Sequence, residues 1–151
     1  MITIGIRAQP KGLTFAIFDK DANKVLNVED IKIPAAFTVP EGLKYLRSNL
    51  LDVLREYSVA RAGVRVTEPN AQGMSIERVQ IEGVIQEAFA SSTVYAYYVG
   101  QISSISARLG IERAEFKPLT AGVKDPGIEN WSQHSSIERE AILCAMGAVN
   151  A

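Results

Sequence analysis

A chain of 151 residues is the size of one ordinary domain and long enough to bury roughly 70% of the surface its unfolded form exposes. Its 47% hydrophobic and 22% charged residues exclude a disordered chain, and no apolar run approaches the roughly 18 residues of a membrane span. A net charge of −1, from 16 basic and 17 acidic residues, lacks the basic excess that phosphate neutralisation demands of tight, non-specific nucleic-acid binders. The amino terminus enters an apolar strand directly, with no secretory signal to be read there. The single cysteine, Cys144, rules out an internal disulfide and suits a reducing cytoplasm. It falls among Ala141, Ile142, Ala145 and Met146 and reads as a buried structural thiol.

Residues 2–8 and 12–19 are two nearly continuous apolar runs joined by Gln9-Pro10-Lys11-Gly12, which predicts a hairpin in a sheet covered on both faces. A turn at Asp19 to Asn23 leads to a third strand over 24–33, whose imperfect alternation predicts a bulge near Glu29-Asp30. The period then changes. Thr38-Val39-Pro40-Glu41 is a capping box with Pro in the first turn, and Leu43, Leu46, Leu50, Val53, Leu54 and Tyr57 follow at helical spacing.

A short strand at 62–67 ends at Glu68-Pro69, and Ser75 caps a second helix with Ile81, Val84, Ile85, Ala88 and Phe89 on one stripe. A strand at 93–99, a helical piece at 101–109, an irregular stretch at 111–133 and a last helix from Ser135-Ser136-Ile137-Glu138 complete the order. The prediction is one domain spanning 1–151, β-β-β-α-β-α-β-α-loop-α. A long loop such as 111–133 is either functional or mobile, and its composition does not decide which.

Several residue types invite a functional reading and have a plainer one. Lys44, Arg47, Arg55, Arg61 and Arg65 form a local basic run that reads as a solvated helix face. His134 stands just outside a helix start, Glu138 fits as the partner of the Ser135 cap, and Asp19 and Asp21 suit turn chemistry. Tyr95, Tyr97 and Tyr98 could stack on bases but fit a half-buried strand. Asn70 to Ser75 lacks the spacing of a phosphate-binding loop.

Ile4-Gly5-Ile6-Arg7, Val64-Arg65-Val66-Thr67-Glu68, Val79 to Ile85, Val94-Tyr95-Ala96-Tyr97 and Glu140 to Ala145 fall where one family places its characteristic segments. On these segments the chain resembles the RNase H-like superfamily, and within it the RuvC-type Holliday junction resolvases. The resemblance lies in element order and spacing over most of the chain. It implies an α/β, three-layer RuvC-like fold whose five-stranded mixed sheet has three antiparallel amino-terminal strands and is flanked by helices. It also implies a homodimer.

In that family converging carboxylates hold two Mg²⁺ or Mn²⁺ ions, about 4 Å apart, that activate water and stabilise the leaving oxygen in phosphodiester cleavage. By the same resemblance the first-strand acid falls on Arg7, the fourth-strand acid on Glu68, the last-helix acid on Glu140, and its companion one turn earlier on Ile137. Glu82 is a further acid facing the same region. A guanidinium about 4 Å from a divalent ion is repelled by roughly 8 kcal/mol at an effective dielectric of 20. The expectation is therefore a cofactor-free domain of binding or structural role in which Arg7 replaces the metal and bonds both Glu68 and Glu140. The alternative expectation is a divergent Mg²⁺- or Mn²⁺-dependent endonuclease on branched DNA, with Glu68 and Glu140 as metal ligands. A sugar-kinase or actin-type ATPase would need a second domain and phosphate-binding loops, which the chain lacks.

Overall fold

The structure, a computed structural model, describes all of residues 1–151. Its strands are β1 (Ile2–Gln9), β2 (Gly12–Asp19), β3 (Lys24–Lys32), β4 (Arg61–Arg65) and β5 (Ala96–Gly100). Its helices are α1 (Val39–Glu56), α2 (Ile76–Ala90), α3 (Ile102–Leu109), α4 (Phe116–Thr120) and α5 (Ser136–Gly147). The five strands lie in the order β3-β2-β1-β4-β5. β1, β2 and β3 are antiparallel neighbours, and β4 runs parallel to β1 and to β5.

Side chains alternate across the sheet, so each strand feeds two cores. Ile4, Ile6, Leu13, Phe15, Ile17 and Val64 pack under α1 and α2, against Leu46, Leu50, Ile81, Ile85 and Phe89. On the opposite face, Ala16, Phe18 and Tyr98 pack with Ile105 of α3 and with Ala141 to Ala145 of α5. Three layers result, as expected for strands apolar on both sides. No helix is long and apolar enough to cross a membrane.

Glycine permits a close approach between layers. Gly5 of β1 and Gly63 of β4 are register partners. A Cβ on Gly5 would lie 2.1 Å from the Ala141 carbonyl oxygen, and one on Gly63 would lie 2.9 Å from Cys144 Sγ. The bare strip lets α5 sit directly on the sheet, where Thr3 Oγ1 donates to the Ala145 carbonyl at 2.6 Å.

Three expectations shift. The bulge falls at Leu26, skipped between the pairs Ile17–Asn27 and Phe18–Val25, and not at Glu29-Asp30. The fifth strand begins at Ala96, later than its β-branched and aromatic run suggests. Residues 111–133 contain α4 and two 3₁₀ turns, at 113–115 and 131–133. Phe116, Leu119, Ile128 and Trp131 of this stretch are buried in the second core. Arg139 fastens it from α5, donating through Nε to the Trp131 carbonyl at 3.1 Å, Nη1 to Thr120 at 3.0 Å and Nη2 to Ser132 at 3.1 Å. The anchoring is a side chain bound to backbone carbonyls, which no periodicity announces.

Candidate functional site

Two residues beyond the glycine strip, on the same sheet face, stand Arg7 of β1 and Arg65 of β4, again register partners. Because α5 rests on the glycines, its Glu140 comes down between them. Arg7 Nε donates to Glu140 Oε2 at 2.8 Å, and Arg65 Nε donates to Glu140 Oε1 at 3.0 Å. Each carboxylate oxygen thus takes one guanidinium. Arg7 Nη1 also donates to the Ala8 carbonyl at 2.6 Å, and Arg65 Nη1 to the Val66 carbonyl. Arg65 is the more deeply set, with only 8% of its side chain exposed.

Glu68 follows β4 and closes the group from the other side. Its Oε2 accepts from Arg65 Nη1 at 2.9 Å and from the Ile102 backbone N–H at 3.1 Å, at the first turn of α3. A helix amino terminus favours a carboxylate there. Glu68 Oε1 lies 3.7 Å from Arg113 Nη2. Glu82 reaches the strand end from α2: its Oε2 accepts the Thr67 N–H at 2.9 Å and the Thr67 hydroxyl at 2.8 Å, and Arg78 Nε stands 2.9 Å away. Burial, with Arg7 close by, pushes the Arg78 guanidinium below its ordinary pKa.

The polar row continues into the hairpin. Thr14, opposite Arg7, donates to Asp30 Oδ1 at 2.6 Å and accepts from Gln9 Nε2 at 2.7 Å.

Of the residues singled out from sequence, Arg7, Glu68, Glu82 and Glu140 gather at this one end of the sheet. The wiring differs from expectation in one respect. Arg7 bonds Glu140 alone, and Arg65 makes the link to Glu68. Arg65 had been read as part of a solvated basic face. The helical members of that run do lie exposed on α1, Arg47 paired with Glu87 and Arg55 with Asp52, whereas Arg61 and Arg65 belong to β4, where Arg61 donates to the Val149 carbonyl at 2.8 Å.

Arg78 and Arg113 were not read from sequence at all. Glu138 caps α5 by accepting the Ser135 N–H at 2.7 Å, with His134 Nδ1 at 3.7 Å from it. Tyr98 is buried and donates to the Cys144 carbonyl at 2.8 Å, whereas Tyr95 and Tyr97 are exposed.

The residues present do not fit a two-metal centre. The Glu140 oxygens and Glu68 Oε2 are engaged by guanidiniums, and Glu82 Oε2 by Thr67. No group of three or more His, Cys, Asp or Glu side chains is arranged to hold an ion. What the arrangement does chemically is neutralise converging carboxylates with fixed positive groups in a partly desolvated place.

No protein-family model matches the chain, and no curated protein matches it either. Solved structures do. RuvC of Thermus thermophilus in complex with a Holliday junction substrate superposes with a TM-score of 0.70 at 18% identity, covering 97% of this chain and 92% of that one. A second structure of Thermus thermophilus RuvC gives 0.68 over the same coverage. The yeast mitochondrial Holliday junction resolvase Ydc2 gives 0.52 at 12% identity, covering 96% of this chain and 77% of that one. The mixed sheet, the helices on both its faces and these superpositions over nearly the whole chain lead to one conclusion: this chain has the RuvC-type, RNase H-like fold.

Proposed function

We propose that this chain is a non-catalytic RuvC-like module that binds nucleic acid through its shape and arginines and does not cut it. The observation that carries the reading is the double bond of Glu140 to Arg7 and Arg65, which occupies both oxygens that a metal would need. Nucleic acid as the partner rests on the fold shared with a junction-bound resolvase. With a net charge of −1, binding of this kind is local and shape-dependent rather than a broad electrostatic attraction.

The test is a four-way DNA junction and a linear duplex incubated with the protein and Mn²⁺. Binding with no cleavage of either is expected. A second reading, a divergent metal-dependent endonuclease, is favoured by the three carboxylates Glu68, Glu82 and Glu140 at one strand end. Mn²⁺-dependent cleavage that disappears in Glu68→Gln establishes that reading and overturns the first. A cytoplasmic homodimer goes with either reading. Sedimentation equilibrium tests the dimer.

A further inference from the structure

β3 is an outer strand, paired on one side only, with β2. Its register fixes which backbone groups that pairing leaves over. The Ile33 N–H donates to the Lys11 carbonyl at 2.9 Å, so by antiparallel alternation Ile31, Glu29 and Asn27 bond β2. Val28 and Asp30 therefore turn their N–H and C=O outward, and no turn, cap or loop bond takes those groups up.

Beside this edge the 127–134 segment stands as a second wall. Between the two lies a groove of about 790 Å³, lined by every residue from Ala22 to Val28. Asn27 lines it although its side chain donates to the Tyr57 hydroxyl on the first-core side, whereas Val25 and Val28 pack toward the second core. A groove reached from both faces of the sheet runs along the strand's edge. At about 3.3 Å per residue, that length of strand accommodates one extended segment of roughly five or six residues.

Charge narrows the occupant. Glu129 and Glu138 line the groove against a single lysine, Lys24, with His134 at 3.7 Å from Glu138 and the exposed Glu29 next along the strand. Leu26, 46% exposed at the bulge, offers an apolar contact. The bulge itself, and lysines at both strand ends, Lys24 and Lys32, are devices that turn another sheet away from an edge. The second wall works in the same direction, since it admits one chain and not a sheet.

We propose that the β3 edge groove binds an extended, basic segment of a partner protein, which adds as a single strand at Val28 and sets its side chains against Leu26 and Glu129. By register the groove lies beside Thr3 to Gly5 of β1, away from Arg7, so the proposal goes beyond the nucleic-acid reading and does not depend on it.

The probe is a set of short synthetic peptides with lysine or arginine at every second position and aliphatic residues between, titrated into the isotope-labelled full chain and followed by NMR. Saturable amide shifts confined to 24–28 and 127–134 are expected, with slower exchange of the Val28 N–H. Methylating alternate peptide nitrogens removes the donors that strand addition needs and is expected to weaken binding about tenfold or more. Glu129→Lys, at an exposed position, is expected to weaken it severalfold, and Arg55→Gln, paired with Asp52 on α1, to bind like the parent.

The proposal is overturned if no peptide of the set gives saturable shifts there, if the methylated peptides bind as well as their parents, or if acidic peptides of the same pattern bind equally. A four-way DNA junction that shifts the same amides without peptide also overturns it, as do shifts driven by protein concentration alone, which assign the edge to a second copy.

Discussion

Arg7 and Arg65 stand directly opposite one another on adjacent parallel strands, and two like charges at that spacing persist because Glu140 gives one oxygen to each. The arrangement makes Glu140 the shared counter-charge of the pair. Glu140→Ala leaves two partly buried guanidiniums without it and is expected to cost about 3–5 kcal/mol of folding stability. Arg7→Met removes one of the two like charges and keeps Glu140 paired to Arg65, so its cost is expected to be clearly smaller. Urea unfolding of both variants checks the order.

The glycine strip is what puts Glu140 there. Gly5→Ala drives a methyl group to 2.1 Å from the Ala141 carbonyl oxygen, which α5 relieves only by rising off the sheet. A loss of about 1–3 kcal/mol or more is expected. The shift should also lengthen the Arg7–Glu140 contact, which a structure of the variant would show. Gly83→Ala, with open space around its Cβ in the middle of α2, is expected to be neutral or stabilising.

Sequence made the architecture legible where periodicity governs it. Thr38-Glu41 and Ser135-Glu138 cap α1 and α5 as their spacing predicts. The doubly covered strands were readable from continuous apolar runs. Arg7 was legible as a strand-end arginine expected to bond Glu140, whereas Arg65, assigned to a solvated basic face, was not read as its partner. Yet the signal existed: Gly5-Ile6-Arg7 and Gly63-Val64-Arg65 are the same small–apolar–arginine triplet on two strands, and the structure sets them side by side. Arg78 and Arg113 carry no such signal, because their place depends on how α2 and the segment after α3 turn toward the sheet end. The 111–133 stretch was illegible for a similar reason, since Arg139 organises it through carbonyls.

Arg139 therefore offers a direct probe of that stretch. Replacing it with leucine removes three donors to backbone carbonyls and is expected to cost about 3 kcal/mol. Trp131, the sole tryptophan, reports the result: its fluorescence should shift to the red and amides of 116–133 should exchange faster, while β1 and β2 stay protected.

Cys144 gives a pH prediction. Burial is the leading cause that pushes its thiol up from 9.0 to about 11, so the folded protein holds the proton where the unfolded chain has lost it. Stability should therefore fall as pH rises from about 9 toward 11, at most on the order of 1 kcal/mol per pH unit from this group. Buried Tyr98, also pushed upward by desolvation, adds to the fall at the alkaline end. Cys144→Ala should flatten the thiol's part of the slope. The native thiol should stay unreactive toward a disulfide reagent at pH 8 and react on unfolding.

The most direct measurement is a calorimetric titration of Mn²⁺ into the parent protein and into the double variant Arg7→Asp, Arg65→Leu. If guanidiniums stand where relatives of this fold would hold metal, the parent gives no saturable binding, and the double variant, with Glu68, Glu140 and a new aspartate released from their arginines, acquires it. Saturable Mn²⁺ binding by the parent that is lost in Glu140→Gln would contradict the account.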